Sequence, residues 1–359
     1  MLKINEIRFY IKKEKDVLFK LVNLDNGYLL KKVEYLNYRR QNSMYSEPIV
    51  FAVKHKNEKI RSHSRSGGIF TAISDYVLDE SGLVYGCVLN EDFHAQHIRI
   101  DNREGRDLMR GSKYIQSHLG DKFISVRNDL NDGRLVMFSG TPCQVAGLKN
   151  FLRKDYDNLI CVDIVCHGVP SKAVWDRYLE WLSKKENTKV MNVNFRNKTD
   201  YGWAAHVETI KMENGSKINS EIFKNLFYGH EILRPSCYSC RWKNTKRVGD
   251  ITIGDFWGID EACPGFNDDK GVSLVLINSE TGNKVFELVK NELIIQPTKI
   301  ELALQPPLRT QFPKPEDRDR FWNDFENRSF TYIAKKYANF GTVNEIKNFL
   351  RKVKEKLHL

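Results

Sequence analysis

Two adjoining stretches decide the fold: RLVMFSGTPCQVAGLKNFLRK (134–154) and LICVDIVCHGVPSKAVWDRYLEWLSKK (159–185). In the first, RLVMFSG (134–140) is a short apolar run that stops at Gly140, as a buried strand does. TPCQVAGLKNFLRK then opens a helix. Thr141 is the candidate N-cap, and Pro142 takes the first helical position, where a missing N–H is no loss. In the second, LICVDIV (159–165) is another buried strand, CHGVPS the turn after it, and KAVWDRYLEWLSKK a helix capped by Ser171. Strand, turn and helix twice over predict parallel strands joined by right-handed crossovers.

Working outward, IVFAV from Ile49 reads as a strand. The helical spacing of IFTAISDYVLDE puts Ile69, Ile73 and Val77 on one face. LVYGCVLN follows as a buried strand. Residues Lys189 to Gly229 read as a sheet-rich insertion with a hairpin at Glu213-Asn214-Gly215. A cysteine-bearing loop (Pro235–Thr245) and the strands VGDITIGD and GVSLVLIN come next. The tail from Asp317 to Leu359 reads as helical, its last helix packing Ile346, Phe349, Leu350, Val353 and Leu357 on the body. The expected class is α/β: a mostly parallel central sheet with flanking helices, a sheet-rich insertion and a helical C-terminal tail. The expected divisions are 1–46, a short segment of strands and turns ending in the loop-like QNSMYSEP; 47–316, the α/β catalytic domain; and 317–359, the tail.

The 359 residues are 41% hydrophobic and 29% charged, the balance of a packed protein and not of a disordered one. No run approaches the roughly 18 apolar residues that span a bilayer, and the N-terminus has no apolar signal core. A cytoplasmic location is therefore expected. The charge of +11 is spread out, with local clusters at Lys12–Lys15, Lys54–Arg65 and Lys347–Lys356. Each cluster by itself is read as solvated surface. The scattered basic residues and the apolar setting of the aromatics argue against nucleic acid as a partner.

Seven cysteines in a reducing compartment argue for metal or redox chemistry over a disulfide framework. Cys143 and Cys166 each follow a predicted strand, at the sheet edge where open parallel sheets bind ligands. A helix N-terminus there favours the thiolate. Cys237 and Cys240 form a C-x-x-C pair on a loop. Four thiolates suit a [4Fe–4S] cluster or structural zinc. A zinc-stabilised scaffold without redox activity is thus the alternative class. Cys87 and Cys161 read as buried strand residues and Cys263 as a loop residue. His167, next to Cys166, is a candidate ligand, proton donor or supporting group. Ser64–Gly68 (SRSGG) precedes a helix and could admit a phosphate. Gly111–Ser117 (GSKYIQS) groups Lys113, Tyr114 and Gln116. GDFWG (254–258) puts an acid and an aromatic at a tight turn, which reads either as pocket wall or as a turn alone.

Taken in order, SRSGGIFTAI, VYGCV, GSKYIQS, LVMFSGTPCQVAGLKNFL, DIVCHGVPS, NFRNK with Trp203, RPSCYSCRW and GDITIGDFWGI resemble one family. It is that of the beta subunits of coenzyme F420-reducing hydrogenase and formate dehydrogenase, which includes plant 7-hydroxymethyl chlorophyll a reductase. The likeness runs from about Pro48 to about Phe340. It implies a flavin- and iron–sulfur-dependent oxidoreductase with a non-covalent flavin, FAD or else FMN, beside one [4Fe–4S] cluster. Electrons pass between an iron–sulfur partner and a small organic acceptor or coenzyme, which is the deazaflavin in archaeal members. The resemblance makes Ser66, Gly67, Gly68, Lys113, Tyr114, Gln116, Ser117, Thr141 and Gln144 flavin candidates. It makes Cys143, Cys166, Cys237 and Cys240 cluster ligands, with His167 and Lys113 as catalytic candidates. Many relatives carry an N-terminal ferredoxin-like segment. No cysteine precedes Cys87 here, so further clusters are not expected and a separate ferredoxin-like donor is. Oligomers are compatible with this scheme. Bacterial relatives among polysaccharide-assembly genes make polysaccharide biosynthesis the expected setting.

Overall fold

The computed structural model describes residues 44–341 in full and, ahead of them, the backbone of 18–24 and 27–33. The expected last helix and the basic clusters at Lys12–Lys15 and Lys347–Lys356 lie outside the described residues. The chain divides into two units between Ser43 and Met44. In the first, β1 (Leu18–Leu24) and β2 (Gly27–Val33) form an antiparallel hairpin.

The second unit is built on an eight-stranded sheet. Its strands are β3 (Met44–His55), β4 (Leu83–Leu89), β5 (Ala95–Ile100), β6 (Val136–Gly140) and β7 (Leu159–Ile164), with β11 (Ile251–Asp255), β12 (Ser273–Ser279) and β13 (Leu293–Thr298). The spatial order is β13-β3-β12-β11-β7-β6-β4-β5. The centre, β4, β6, β7 and β11, is parallel, and the remaining pairings are antiparallel. Every residue of β12 is buried, as an apolar run enclosed on both faces requires. The edge strand β13 accommodates Pro297, which has no N–H to offer a neighbour. Met44–Pro48, read as loop, is strand: it extends β3, with Met44 paired to Ser279 beyond an irregularity in register.

Helices cover the sheet as their periodicity dictates. Ile69–Asp79 buries Ile69, Ile73 and Val77, and Pro142–Leu152 buries Val145 and Leu148. A second core gathers under helix Lys172–Glu186, where Trp175 and Tyr178 are fully buried. Each such side chain contributes about 1.5–3 kcal/mol. The insertion supplies β8 (Val190–Asn194), β9 (Glu208–Met212) and β10 (Lys217–Ser220), an antiparallel sheet, plus helix Ile222–Gly229. Tail helices Arg318–Asn327 and Phe330–Tyr337 join that core through Phe321, Phe330 and Ile333.

Candidate functional site at the carboxyl edge of the sheet

The parallel strands aim their carboxyl ends at one edge. There the loops after β3, β6, β7 and β11 enclose a cavity of about 620 Å³, within the range of small-molecule and cofactor sites. Gly140 pairs with Asp163 across β6 and β7, so Cys143 and Cys166 stand equally far past one rung of the ladder. Thr141 is the N-cap and Pro142 the first helical residue. Gln144 Oε1 accepts the Thr141 backbone N–H at 3.0 Å, and the Thr141 hydroxyl lies 3.1 Å from Cys143 Sγ.

The loop after β7 brings in the other sulfurs. Pro170 bridges Leu233, Arg234 N–H donates to Val169 O at 2.9 Å, and Ser171 N–H donates to Ile232 O at 2.8 Å. This short antiparallel contact lays the C-x-x-C loop beside Cys166, and Val169 N–H reaches Cys237 Sγ at 3.4 Å. The fit needs Gly168: a Cβ there would meet Leu233 Cδ1 at 2.9 Å. Cys166 senses Cys143 and Cys237, and Cys237 senses Cys240. Burial, then these neighbours, push the Cys166 thiol up to about 12. The thiolate preference expected from a helix terminus is therefore reversed at Cys166, because burial outweighs it. Among the described residues, no three or more His, Cys, Asp and Glu side chains are arranged to hold a metal ion. Four sulfurs without a carboxylate would suit an iron–sulfur cluster or structural zinc. The ammonium of Lys243, a residue only 5% exposed, interacts electrostatically with three of the thiols, those of Cys166, Cys237 and Cys240. It donates to His167 O at 2.7 Å.

His167 lines the cavity, its Nε2 2.8 Å from His230 Nε2. Burial holds the His167 imidazole down to about 3, so the ring is neutral and one proton lies between the two nitrogens. Lys113 also lines the cavity, but its ammonium caps a helix end, donating to the carbonyls of Leu108, Met109 and Arg110 at 2.8–3.1 Å. Burial lowers it to about 8. Ser66, Gly68, Tyr114, Gln116, Ser117, Thr141 and Gln144 line the cavity as well. Gly67 does not: its N–H donates to Ser273 Oγ, and a Cβ there would meet Val53 O at 2.1 Å. Its role is to let the loop lie against β3 and β12. Cys87 is half-buried in the cavity wall, Cys161 is buried in β7, and Cys263 is buried at a helix end where a loop position was expected.

Sequence reading missed several lining residues. Arg65 lies inside SRSGG, and Arg196 inside NFRNK. Asp255 and Trp257, the acid and an aromatic of the GDFWG turn, do line the cavity, as one of the two readings of that turn expects. His97 is opposite Cys87 on β5; its Nε2–H donates to Ser139 O at 3.0 Å, leaving Nδ1 to accept from Ser117 Oγ at 2.6 Å. Burial holds His97 down to about 4. These motifs had been singled out. The signal that these side chains meet is spatial and is not carried by spacing.

No helix among the described residues is long and apolar enough to cross a membrane. A chain of the F420-reducing [NiFe] hydrogenase complex from Methanosarcina barkeri is similar to this one, with TM-score 0.49 and 17% identity over 73% of this chain and 84% of that one. Among curated proteins nothing matches. Residues 133–302 match the family described as the C terminus of the coenzyme F420 hydrogenase/dehydrogenase beta subunit. That stretch, which contains Cys143, Cys166, Cys237 and Cys240, is what this chain shares with the coenzyme F420 hydrogenase/dehydrogenase beta subunits.

Proposed function

We propose that the chain is a flavin- and iron–sulfur-dependent oxidoreductase that moves electrons between a ferredoxin-like partner and a small organic substrate. The observation that carries this is a cavity of about 620 Å³ lined by Cys143 and Cys166, with Cys237 held against the loop after Cys166 by the Val169 N–H. The fit is one of chemistry: an all-sulfur donor set for a [4Fe–4S] cluster, and a roomy pocket with hydroxyl and amide groups for an FAD ring system. Bound there, the cluster supplies one-electron steps and the flavin a two-electron step.

The protein's own groups do the rest. The Val169 N–H to Cys237 and the Thr141 hydroxyl near Cys143 polarise two of the sulfurs, and the Lys243 ammonium offsets the charge of a thiolate site. Cys143 is the exposed member of the four, and it lines the cavity. The neutral His167–His230 pair holds a proton at the cavity wall. Ser117, whose hydroxyl donates to His97, keeps its oxygen lone pairs for the cavity it lines. Domain boundaries near 46 and 316, a cytoplasmic site of action and a role in polysaccharide biosynthesis belong to this proposal.

Anaerobic reconstitution with iron, sulfide and flavin is the test. About four irons and one flavin per chain are expected. Cys166→Ser is expected to lose most of the iron while keeping the flavin. Colourless protein without iron after this treatment ends the redox reading. Zinc without flavin establishes the four-cysteine scaffold instead.

A further inference from the structure

The cavity has a second charged region, at the end formed by β11 and the loop after β3. Asp255 ends β11, and its carboxylate accepts two hydrogen bonds and faces a second guanidinium. Trp203 Nε1 donates at 2.9 Å and Arg196 Nη1 at 2.8 Å, and Arg65 Nε lies 3.5 Å away as an ion pair. Two guanidiniums on one carboxylate leave positive charge in excess, and the Lys198 ammonium nearby adds to it. That ammonium is itself committed to the carbonyls of Arg61 and Lys270.

Both arginine side chains are deeply buried, exposed to 9% for Arg65 and 5% for Arg196, and both residues line the cavity. Their Nη2 groups donate to the Trp203 carbonyl. Arg65 Nε and Nη1 and Arg196 Nε, although buried, have no hydrogen-bond partner. Leaving a buried donor unmade costs about 1–3 kcal/mol, more at a charged group. A fixed scaffold does not gather two such side chains round a single carboxylate without a further acceptor. The excess positive charge asks for an anion, and the planar guanidinium fork matches a carboxylate.

Beside this cluster Trp257 is 38% exposed. Its ring is stacked on the buried Trp203 at 5.0 Å between centroids, with the Arg196 guanidinium 5.0 Å from its centre. The result is a rigid flat wall next to the spare positive charge. The geometry points to Arg65 and Arg196 as the pocket for a carboxylate of the substrate, whose organic body lies against Trp257. This rests on the cavity being the substrate site of the proposed oxidoreductase. It narrows the substrate class to small organic acids.

Fluorobenzoate binding, followed by fluorine NMR on the full-length protein with and without its cofactors loaded, tests the assignment. Saturable binding is expected, with neutral fluorobenzamide at least about tenfold weaker, since it cannot satisfy the spare charge. Arg65→Met and Arg196→Met should each weaken fluorobenzoate about tenfold or more. Asp255→Asn removes the competing carboxylate and should tighten it several-fold. Arg196 also ties down the Trp203 and Ala205 carbonyls. If its variant does not fold, Arg65→Met and the gain at Asp255→Asn carry the test, because misfolding does not raise affinity. Equal binding of the amide, or no gain with Asp255→Asn, overturns the proposal. So does release of bound flavin by inorganic phosphate or by fluorobenzoate, which would assign the arginines to a cofactor phosphate. Fluorobenzoate bound by protein that takes up neither iron nor flavin sinks the redox reading alone. Full cofactor loading without fluorobenzoate binding sinks this assignment alone.

Discussion

Two buried arginine–aspartate clusters sit at the same sheet edge, and they are built to opposite specifications. In the first, Arg247 and Asp163 are almost wholly enclosed, with side chains 1% and 0% exposed. Arg247 Nη2 donates to Asp163 Oδ1 at 2.9 Å and Ile164 O at 3.0 Å, Nη1 to Trp242 O, and Nε to Thr252 Oγ1 at 3.3 Å. Asp163 Oδ2 takes the Gly249 N–H at 2.9 Å. Every nitrogen of that guanidinium is committed. In the second, Arg65 and Arg196 share Asp255 and retain donors with no partner. A satisfied buried ion pair fixes the fold; an unsatisfied one at a cavity wall is poised for a ligand. Residue type alone does not separate the two cases.

The largest effect that tests this contrast is expected at Arg247. It fastens the chain just after the C-x-x-C loop to the end of β7, so it holds Cys237 and Cys240 in place relative to Cys166. Arg247→Met leaves Asp163 buried without its cation and should cost about 3–5 kcal/mol in urea denaturation. Added fluorobenzoate should not restore that loss, and iron uptake should fall with it. A loss under about 1 kcal/mol would show that the closed cluster is not what fastens the loop.

A third buried acid shows what happens with no arginine at all. Glu208, 1% exposed at the start of β9, accepts the Lys224 backbone N–H at 2.6 Å and lies 3.4 Å from the Tyr178 hydroxyl. Burial lifts its carboxyl from 4.5 to about 8, against the lowering effect of backbone N–H groups. Between those values the folded chain keeps a proton that the unfolded chain has released. The associated stability is full below about pH 4.5 and is lost as pH rises toward 8. Glu208→Gln should therefore remove about 2–3 kcal/mol of stability loss between about pH 5 and 7. Urea midpoints measured across that range check it. An unchanged slope would mean that Glu208 is ionised in the fold.

The parts of the fold legible in sequence were those where one local rule suffices. Thr141 with Pro142 and Ser171 start helices as expected, and β6 and β7 are parallel neighbours. Strand β5 and helices Arg103–Met109, Lys122–Asn131 and Glu280–Val289 were not read. In β5 the buried face includes His97, a polar residue that hides the alternation. The cysteines could be singled out because sulfur at a strand end has few bland explanations. What lays the C-x-x-C loop beside Cys166 is the contact between Pro170 and Leu233, which no periodicity announces. The arginines were illegible for another reason. Among 57 basic residues nothing local marks Arg65 and Arg196, which meet only because β11 ends between their loops.

The smallest expected effect is also the most selective. A ligand that binds only the folded chain stabilises it by RT ln(1 + [L]/Kd), which at ten times Kd is about 1.4 kcal/mol. For a chain of 359 residues that raises the unfolding midpoint by about 2 °C. Fluorobenzoate should give this increment in the wild-type protein. It should give the same increment in Arg247→Met, whose midpoint is far lower, because the open cluster is intact there. In Arg65→Met the increment should fall to about 0.4 kcal/mol or less, although the midpoint without ligand moves little: that side chain's partners are one carbonyl and a loose ion pair. Stability and ligand response are thus separable at the same sheet edge. If Arg247→Met abolished the increment while Arg65→Met preserved it, the roles of the two clusters would have to be exchanged.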